Sequence, residues 1–273
     1  MIPLNYLTVH KVSGADAGSF LHAQLAADTA ALADGQSCFA AYCSPRGQVI
    51  ALLLVCRQAD NWTVITQAGL ASLVANRLRM YVLRAKVTIE AMPGKQVAGL
   101  FSNEDSAAGA VVFSPANVPL RYALTVAHND DRAMPARWRR AEIMHGVIWL
   151  QNGTSERFLP QMLGLDAIGA VSFSKGCYPG QEIVARTRYL GKLKRKPVLL
   201  EADGVLPLNP GDNCTLISDG DKIEAVVADA VGTRDTGTTL LAVAPVEPDR
   251  PVNTLEWNAQ RWPVRRAQSV ADD

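Results

Sequence analysis

The order of apolar and polar residues divides the chain into a mixed region and a later region of short strands. In the mixed region, apolar or alternating runs bounded by turn residues predict strands. These runs span residues 38–42, 49–56, 62–66 and 87–91. The turn Ser44-Pro45-Arg46-Gly47 separates the first two.

Three segments of the same region have the spacing of a helix. Residues 13–25 begin with a Ser-x-x-Asp capping pattern, residues 70–83 place Leu70, Val74 and Leu78 one turn apart, and a third helix follows Gly180. We expect the strand, helix, strand succession to recur over residues 97–126 and again before Gly180. This favours an α+β architecture of packed sheets over one doubly wound sheet.

After Gly191 the pattern changes to short apolar runs separated by turns rich in Pro, Gly and Asp. The runs span residues 197–200, 214–218, 224–230, 239–243 and 253–257. Such spacing is typical of a small antiparallel β-barrel. The sequence therefore predicts an N-terminal region of two α+β subdomains, residues 1–190, and a C-terminal barrel, residues 191–273.

Composition narrows the class of protein. The 273 residues are 48% hydrophobic, enough to fill more than one core. The longest apolar stretch, residues 49–56, is far shorter than a bilayer span, and the first residues lack the features of a signal peptide. Five cysteines, an odd number, do not indicate a disulfide framework. We expect a cytoplasmic protein with no membrane contact.

Charge is balanced overall but locally concentrated. A net charge of +1 argues against a surface built to hold nucleic acid, so direct nucleic-acid binding is not expected. Six cations nevertheless lie close together: Arg186, Arg188, Lys192, Lys194, Arg195 and Lys196. They are open to three interpretations, which are a solvated helix end, an RNA-binding patch and a basic rim that attracts an anionic ligand.

The segment Lys175-Gly176-Cys177-Tyr178-Pro179-Gly180-Gln181-Glu182 is the strongest candidate for a site. It places a thiol just before a predicted helix N-terminus, where unpaired N–H groups and positive potential favour a thiolate. Lys175 and Arg186 would add to that effect if they lie close in space. The alternative is a small, buried Cys177 in a tight turn, as most free cysteines are.

The same segment, continued by Ile183-Val184-Ala185-Arg186, resembles the signature of the YgfZ family of folate-binding proteins, which are relatives of the glycine-cleavage aminomethyltransferase, or T-protein. Other stretches are also similar to that family. They are Phe20-Leu21-His22-Ala23-Gln24 with Asp28, Ser44-Pro45-Arg46-Gly47, Phe158-Leu159-Pro160-Gln161, Ser172-Phe173 and Lys194-Arg195. One loop departs from it: relatives often read Arg-x-Glu-x-Gly-x-Pro, and residues 140–146 lack the Gly and the Pro at those positions of the pattern.

The resemblance implies a T-protein-like fold, a tripartite ring around a central folate pocket with a small C-terminal barrel. It implies tetrahydrofolate, in mono- or polyglutamylated form, as the cofactor, and a role supporting iron–sulfur cluster assembly or repair in client enzymes, including tRNA-modifying ones. Partners would be folate and iron–sulfur client or assembly proteins. Cys177 would be the functional thiol.

The resemblance also suggests roles for the neighbours of Cys177. Gly176 and Gly180 would allow tight turns and close approach of the folate. Gln181 and Glu182 would bind the pterin, or alternatively cap the helix. Lys175 and Arg186 would meet the folate carboxylates or stabilise the thiolate. Tyr178 completes the set of candidate folate contacts.

The second function that the resemblance allows is aminomethyl transfer to tetrahydrofolate. The T-protein places an Asp on the strand after the early glycine turn, and here the matching positions are Ala51 or Leu52. An apolar side chain can neither accept the amine's hydrogen bond nor balance a cation, so this activity is disfavoured. The histidines show no metal-ligand spacing, and no metal site is predicted.

Overall fold

The computed structural model describes residues 1–101, 109–126, 135–191, 193–245 and 251–269. Within them the chain forms three antiparallel β-sheets, one of them a closed barrel, together with four α-helices and three short 3₁₀ helices. This is an α+β fold, as the sequence predicts.

The first sheet has five strands and holds the continuous apolar run of the sequence at its centre. In spatial order they are β3 (Ser37–Cys43), β4 (Val49–Gln58), β5 (Asn61–Gln67), β2 (Leu7–Ser13) and β6 (Thr88–Ala91). Strand β4 is buried from Val49 to Cys56. It lies between two strands and both of its faces are covered. Its sequence is therefore an uninterrupted apolar run, without the alternation of apolar and polar residues that a half-exposed strand shows.

The second sheet is smaller, with four strands. In spatial order they are β1 (Ile2–Pro3), β7 (Lys95–Leu100), β9 (Arg121–Val126) and β8 (Val111–Phe113). Its buried side chains join those of the first sheet in one hydrophobic core.

The barrel closes through six strands. Around the barrel they are β10 (Lys196–Ala202), β13 (Gly237–Ala244), β12 (Asp221–Thr233), β11 (Asn213–Ser218), β14 (Thr254–Trp257) and β15 (Gln260–Ser269). Side chains on β10 alternate, so that Val198 and Leu200 fill the barrel while Leu199 packs into the main core. Strand β10 thus contributes to both cores, and Leu199 packs the barrel against the rest of the molecule.

The described α-helices are short. They are α1 (Ala17–Gln24), α2 (Ala71–Met80), α3 (Pro135–Met144) and α4 (Gln181–Tyr189). None of the helices in the described ranges combines the length and the apolar character needed to cross a bilayer.

Most predicted strands are confirmed to within a few residues, including all five predicted in the barrel. The sixth barrel strand, β15, escaped prediction because it carries arginines. Its Trp262 and Val264 pack toward the barrel interior, whereas Arg261 and Arg265 are exposed, so it alternates without forming an apolar run.

Two predictions are wrong and one is partly wrong. A helix does lie within 13–25, but it begins only at Ala17, because Ser13 pairs in the first sheet. The Asp16 carboxylate accepts a hydrogen bond from the Lys86 N–H at 2.7 Å instead of capping the helix. The described part of 97–126 contains strands and no helix. Residues 145–180 form turns and one 3₁₀ helix without a strand, although the apolar stretch 147–150 is buried.

Candidate functional site

The loop before α4 is held against the C-terminal end of α1. The Ser172 N–H donates to the Ala26 carbonyl at 2.9 Å. The Lys175 ammonium donates to the carbonyls of Leu25, at 2.6 Å, and His22. These carbonyls belong to the last turn of α1 and the residue after it, where a helix has no partners of its own for them. The loop therefore supplies hydrogen-bond donors to carbonyl groups at the C-terminal end of α1.

Lys175 is an internal brace. Only 9% of the residue is exposed, and its ammonium nitrogen lies 5.3 Å from the centre of the Tyr178 ring, a cation–π distance. Burial lowers the pKa of Lys175 to about 8, although the nearby Asp28 acts to raise it. The amine remains mostly charged at neutral pH, and that charge faces carbonyl oxygens and an aromatic ring.

Gly180 and Gly47 bring two separate motifs into contact. Both have positive φ, +82° and +74°, which favours glycine. A Cβ on Gly180 would lie 2.6 Å from the Gly47 Cα and closer still to the Ser44 carbonyl oxygen. The Ser44–Gly47 turn and the cysteine loop thus touch through their backbones, which explains both glycines.

Helix α4 starts directly after this contact. Its N-terminus has no side-chain cap, so the capping interpretation of Gln181 and Glu182 does not hold. The Gln181 amide instead donates to the Lys175 carbonyl at 3.3 Å and orients the loop. Gln161 donates to the Val184 carbonyl at 2.7 Å and ties α4 to the segment before it.

Cys177 is the exposed thiol among five free cysteines, all of which lie in the described ranges. The other four are buried or partly buried, and burial raises the pKa of Cys38, Cys43 and Cys214 to about 12. A buried, core-filling Cys177 is therefore excluded by its position. What remains is a thiol open to solvent on a well-braced loop.

Gly176, next to this thiol, is exposed as well. Its φ is not positive, and a Cβ there would meet nothing within 4 Å. Neither a turn nor a close contact with the protein requires glycine at this position. The space beside Cys177 is thus open to the approach of another molecule.

The structure divides the predicted folate contacts into two groups. Lys175, Tyr178 and Gly180 face inward and brace the loop. Exposed residues are Gly176, Glu182 and Arg186, with Gln181 half-buried between the groups. Arg186 lies in the last turn of α4, away from the loop, and Lys192 lies outside the described residues.

A second polar cluster, which the sequence did not indicate, links α3 to the second sheet, to the barrel and to Tyr6 in the turn before β2. Fully buried Glu142 accepts hydrogen bonds from four donors: Tyr6 at 2.6 Å, Tyr122 at 3.0 Å, Trp149 at 2.8 Å and Arg139 at 2.7 Å. Arg139 also pairs with buried Asp229 of the barrel. The only sequence signal is the i, i+3 spacing of Arg139 and Glu142, which is too common to identify a cluster.

This cluster also shows the path of the divergent segment 140–146. The segment forms the end of α3 and closes with Gly146 at a φ of +74°. The Val147 N–H donates back to the Glu142 carbonyl at 2.8 Å, as in a glycine-terminated helix. Among the described residues, no group of three or more His, Cys, Asp and Glu side chains is arranged to hold a metal ion.

Several known proteins similar to this chain have the same name. The chain is 31% identical over 216 residues to tRNA-modifying protein YgfZ of Edwardsiella ictaluri, and the alignment covers 67% of this chain and 65% of that protein. It is 30% identical over 256 residues to the Klebsiella pneumoniae protein of that name, covering 78% of each chain. An Escherichia coli YgfZ is 27% identical over 278 residues, covering 89% of this chain and 82% of its own.

A solved structure has the same fold. The glycine cleavage system aminomethyltransferase T from Bartonella henselae superposes with a TM-score of 0.70 over 99% of this chain and 84% of its own, at 17% identity. No protein-family model matches the sequence.

Proposed function

The chain belongs to the YgfZ family, whose curated relatives are named tRNA-modifying proteins, and on this basis we propose that it is a tetrahydrofolate-binding accessory protein. In this proposal it supports assembly or repair of iron–sulfur clusters in client enzymes, including those that modify tRNA. Its partners are folate and iron–sulfur client or assembly proteins, and it acts in the cytoplasm. Cys177 is the functional thiol.

The observation that carries the proposal is the exposure of Cys177 on a loop held from both sides. Lys175 fixes the loop to α1, and Gly180 fixes it to the Ser44–Gly47 turn. Fixing a backbone costs roughly 1–2 kcal/mol per residue in entropy. A loop held in this way at an exposed thiol favours a functional position over an incidental one.

Two exposed residues of α4 suit the chemistry of a folate. Arg186 forms no ion pair with another described residue, so its guanidinium is available to the carboxylates of a glutamate tail. Glu182 is exposed and would accept hydrogen bonds from pterin N–H groups. Tetrahydrofolate, when bound, supplies a reduced pterin able to carry a one-carbon unit. Lys175, Tyr178 and Gly180 would support this surface from beneath.

Aminomethyl transfer is less consistent with the strand that would hold its carboxylate. Ala51 and Leu52 lie in the buried part of β4 and are apolar. Neither can stabilise the positive charge that develops on a folate amine. Similarity to the T-protein at 17% identity concerns the fold, and it does not bring that enzyme's reaction to this chain.

Calorimetric titration with tetrahydrofolate, in mono- and polyglutamylated forms, tests the proposal. Wild type and Cys177→Ala are titrated in parallel. Saturable binding by both would support a folate site and assign the thiol to a later step. No binding by folded wild-type protein would refute the folate part and leave Cys177 as the basis for a thiol or metal-transfer function.

A further inference from the structure

A groove of about 780 Å³ lies between α1 and the hairpin formed by β4 and β5. Mostly small residues of α1 and of the turn before it form one wall, and the end of the hairpin forms the other. The lining includes Gly18 and Ser19 of α1 and Arg57, Asp60 and Trp62 of the hairpin. Small-molecule sites commonly enclose about 300–1,000 Å³, so the groove is large enough to hold a ligand.

Trp62 presents an unpaired donor to this groove. Only 6% of the residue is exposed, and its indole N–H makes no hydrogen bond with another described residue. The indole nitrogen is nevertheless open to solvent. Gly18 leaves it open, because a Cβ there would lie 3.5 Å from this nitrogen and 3.2 Å from the ring carbon Cζ2. The N–H of a nearly buried side chain therefore faces the groove and lacks an acceptor from the protein.

Arg57 places a fixed cation at the same groove. Its guanidinium carbon lies 5.8 Å from the centre of the Trp62 ring, and its Nη1 donates to the Leu32 carbonyl at 2.8 Å. It forms no ion pair with another described residue, so Nε and Nη2 remain available as donors. A guanidinium that is already held in place loses little freedom on binding, which favours paired recognition of a carboxylate or a phosphate.

The first turn of α1 adds backbone donors. The Asp16 carboxylate accepts a hydrogen bond from the Lys86 N–H and gives the helix no side-chain cap. The N–H groups of Gly18 and Ser19 make no hydrogen bond with another described residue, and the start of a helix favours negative charge. One acid, Asp60, also lines the groove, but it is exposed, so water and salt screen its charge.

We propose that Arg57, Trp62, Gly18 and Ser19, here called the α1 groove, bind a small molecule through an oxyanion, which is a phosphate or a carboxylate. The guanidinium supplies the charge, and the indole and backbone N–H groups supply further donors. The inference goes beyond the proposed function, because no proposed folate contact lines this groove and Cys177 takes no part in it.

Nuclear magnetic resonance of the full chain, labelled with ¹⁵N at tryptophan, tests the α1 groove. The chain has five tryptophans, and the indole signal that is missing from Trp62→Phe identifies Trp62. Phosphate and acetate are titrated separately at fixed pH, with sodium chloride at matched ionic strength as the reference. We expect at least one of the two oxyanions to shift the Trp62 signal in a saturable manner, and sodium chloride to leave it in place.

Variants test which groups hold the anion. Arg57→Gln should weaken binding at least fivefold, whereas Arg57→Lys, which keeps the charge but not the paired donors, should weaken it less. Gly18→Ala places a Cβ beside the indole nitrogen and should weaken binding at least threefold. The matched control is Arg261→Gln, which removes an arginine of the barrel whose side chain is 61% exposed and should bind like wild type. Circular dichroism confirms that each variant folds.

The outcomes separate a site from general attraction of anions. Saturable shifts that depend on Arg57 and Gly18 but not on Arg261 support the α1 groove, and the oxyanion that binds more tightly gives the class of the ligand. A Trp62 signal that responds to neither oxyanion, or equally to sodium chloride, would overturn the proposal. Equal weakening by Arg57→Gln and Arg261→Gln would overturn it as well. If Arg57→Gln does not fold, Arg57→Lys and Gly18→Ala still decide between these outcomes.

Discussion

Removal of Arg139 tests whether the buried cluster holds the barrel to α3 and the second sheet. In Arg139→Met, a chain of similar length replaces the guanidinium, and Glu142 and Asp229 lose their shared cation. Their side chains are 0% and 1% exposed, so water cannot take the cation's place. Breaking a buried ion pair in this way costs about 3–5 kcal/mol.

The remaining contacts of each carboxylate show where the loss arises. Glu142 would keep its hydrogen bonds from Tyr6, Tyr122 and Trp149. Asp229 would keep the Ala230 N–H at 2.9 Å. Most of the loss should therefore come from Asp229. Because a domain is stable by about 5–15 kcal/mol, the variant should still fold, with much reduced stability.

The loss should depend on pH. Burial raises the pKa of Asp229 in the wild type, and Arg139 opposes that rise. Without Arg139 the pKa of Asp229 rises further, so the folded variant binds a proton at pH values where the unfolded chain does not. Folded-state protonation favours folding as pH falls. The stability deficit of the variant should thus be larger at pH 8 than at pH 5.

Equilibrium unfolding in urea at pH 5 and pH 8 measures these differences. The matched control is Arg84→Met, which removes an exposed arginine and should change stability by less than about 0.5 kcal/mol. A deficit below about 1 kcal/mol for Arg139→Met, or an equal deficit at both pH values, would refute the assignment of Arg139 as the cation that holds both carboxylates.

Three other predictions concern the cysteine loop and α4. Cys177→Ala should keep the wild-type melting temperature yet lose activity in cells. In the wild type, iodoacetamide should label Cys177 before Cys43, because burial raises the pKa of Cys43 to about 12. A large loss of stability or equal labelling of the two cysteines would contradict this. Gly180→Ala should lower the free energy of unfolding by more than about 1 kcal/mol, because φ at this position is positive and a Cβ would collide with backbone atoms. Gly176→Ala should leave stability nearly unchanged. Equal effects of the two substitutions would contradict the packing described. Arg186→Glu should weaken polyglutamylated folate more than the monoglutamate, as calorimetry would show, and equal weakening would remove the tail-binding role.

Sequence periodicity was sufficient for the elements whose signal is local. The run 49–56 predicted a strand, and the short runs after Gly191 predicted five barrel strands. Periodicity was insufficient at residues 13–25, because Ser13 pairs with a strand that is distant in the sequence and is therefore not part of the helix. Strand β15 was also missed, because its exposed arginines interrupt the apolar run. Only its pairing in the closed barrel identifies it as a strand.

The sequence by itself determined the family, the fold class and the segment around Cys177, because specific residue types at fixed spacing contain that information. Tertiary structure alone decided what the neighbours of the thiol do. Lys175 bonds to carbonyls 150 and 153 residues away, and Arg139 pairs with Asp229 across 90 residues. Every residue carries a backbone carbonyl, and carboxylates are common, so neither partner leaves a mark in the sequence. Only folding places a particular one within reach.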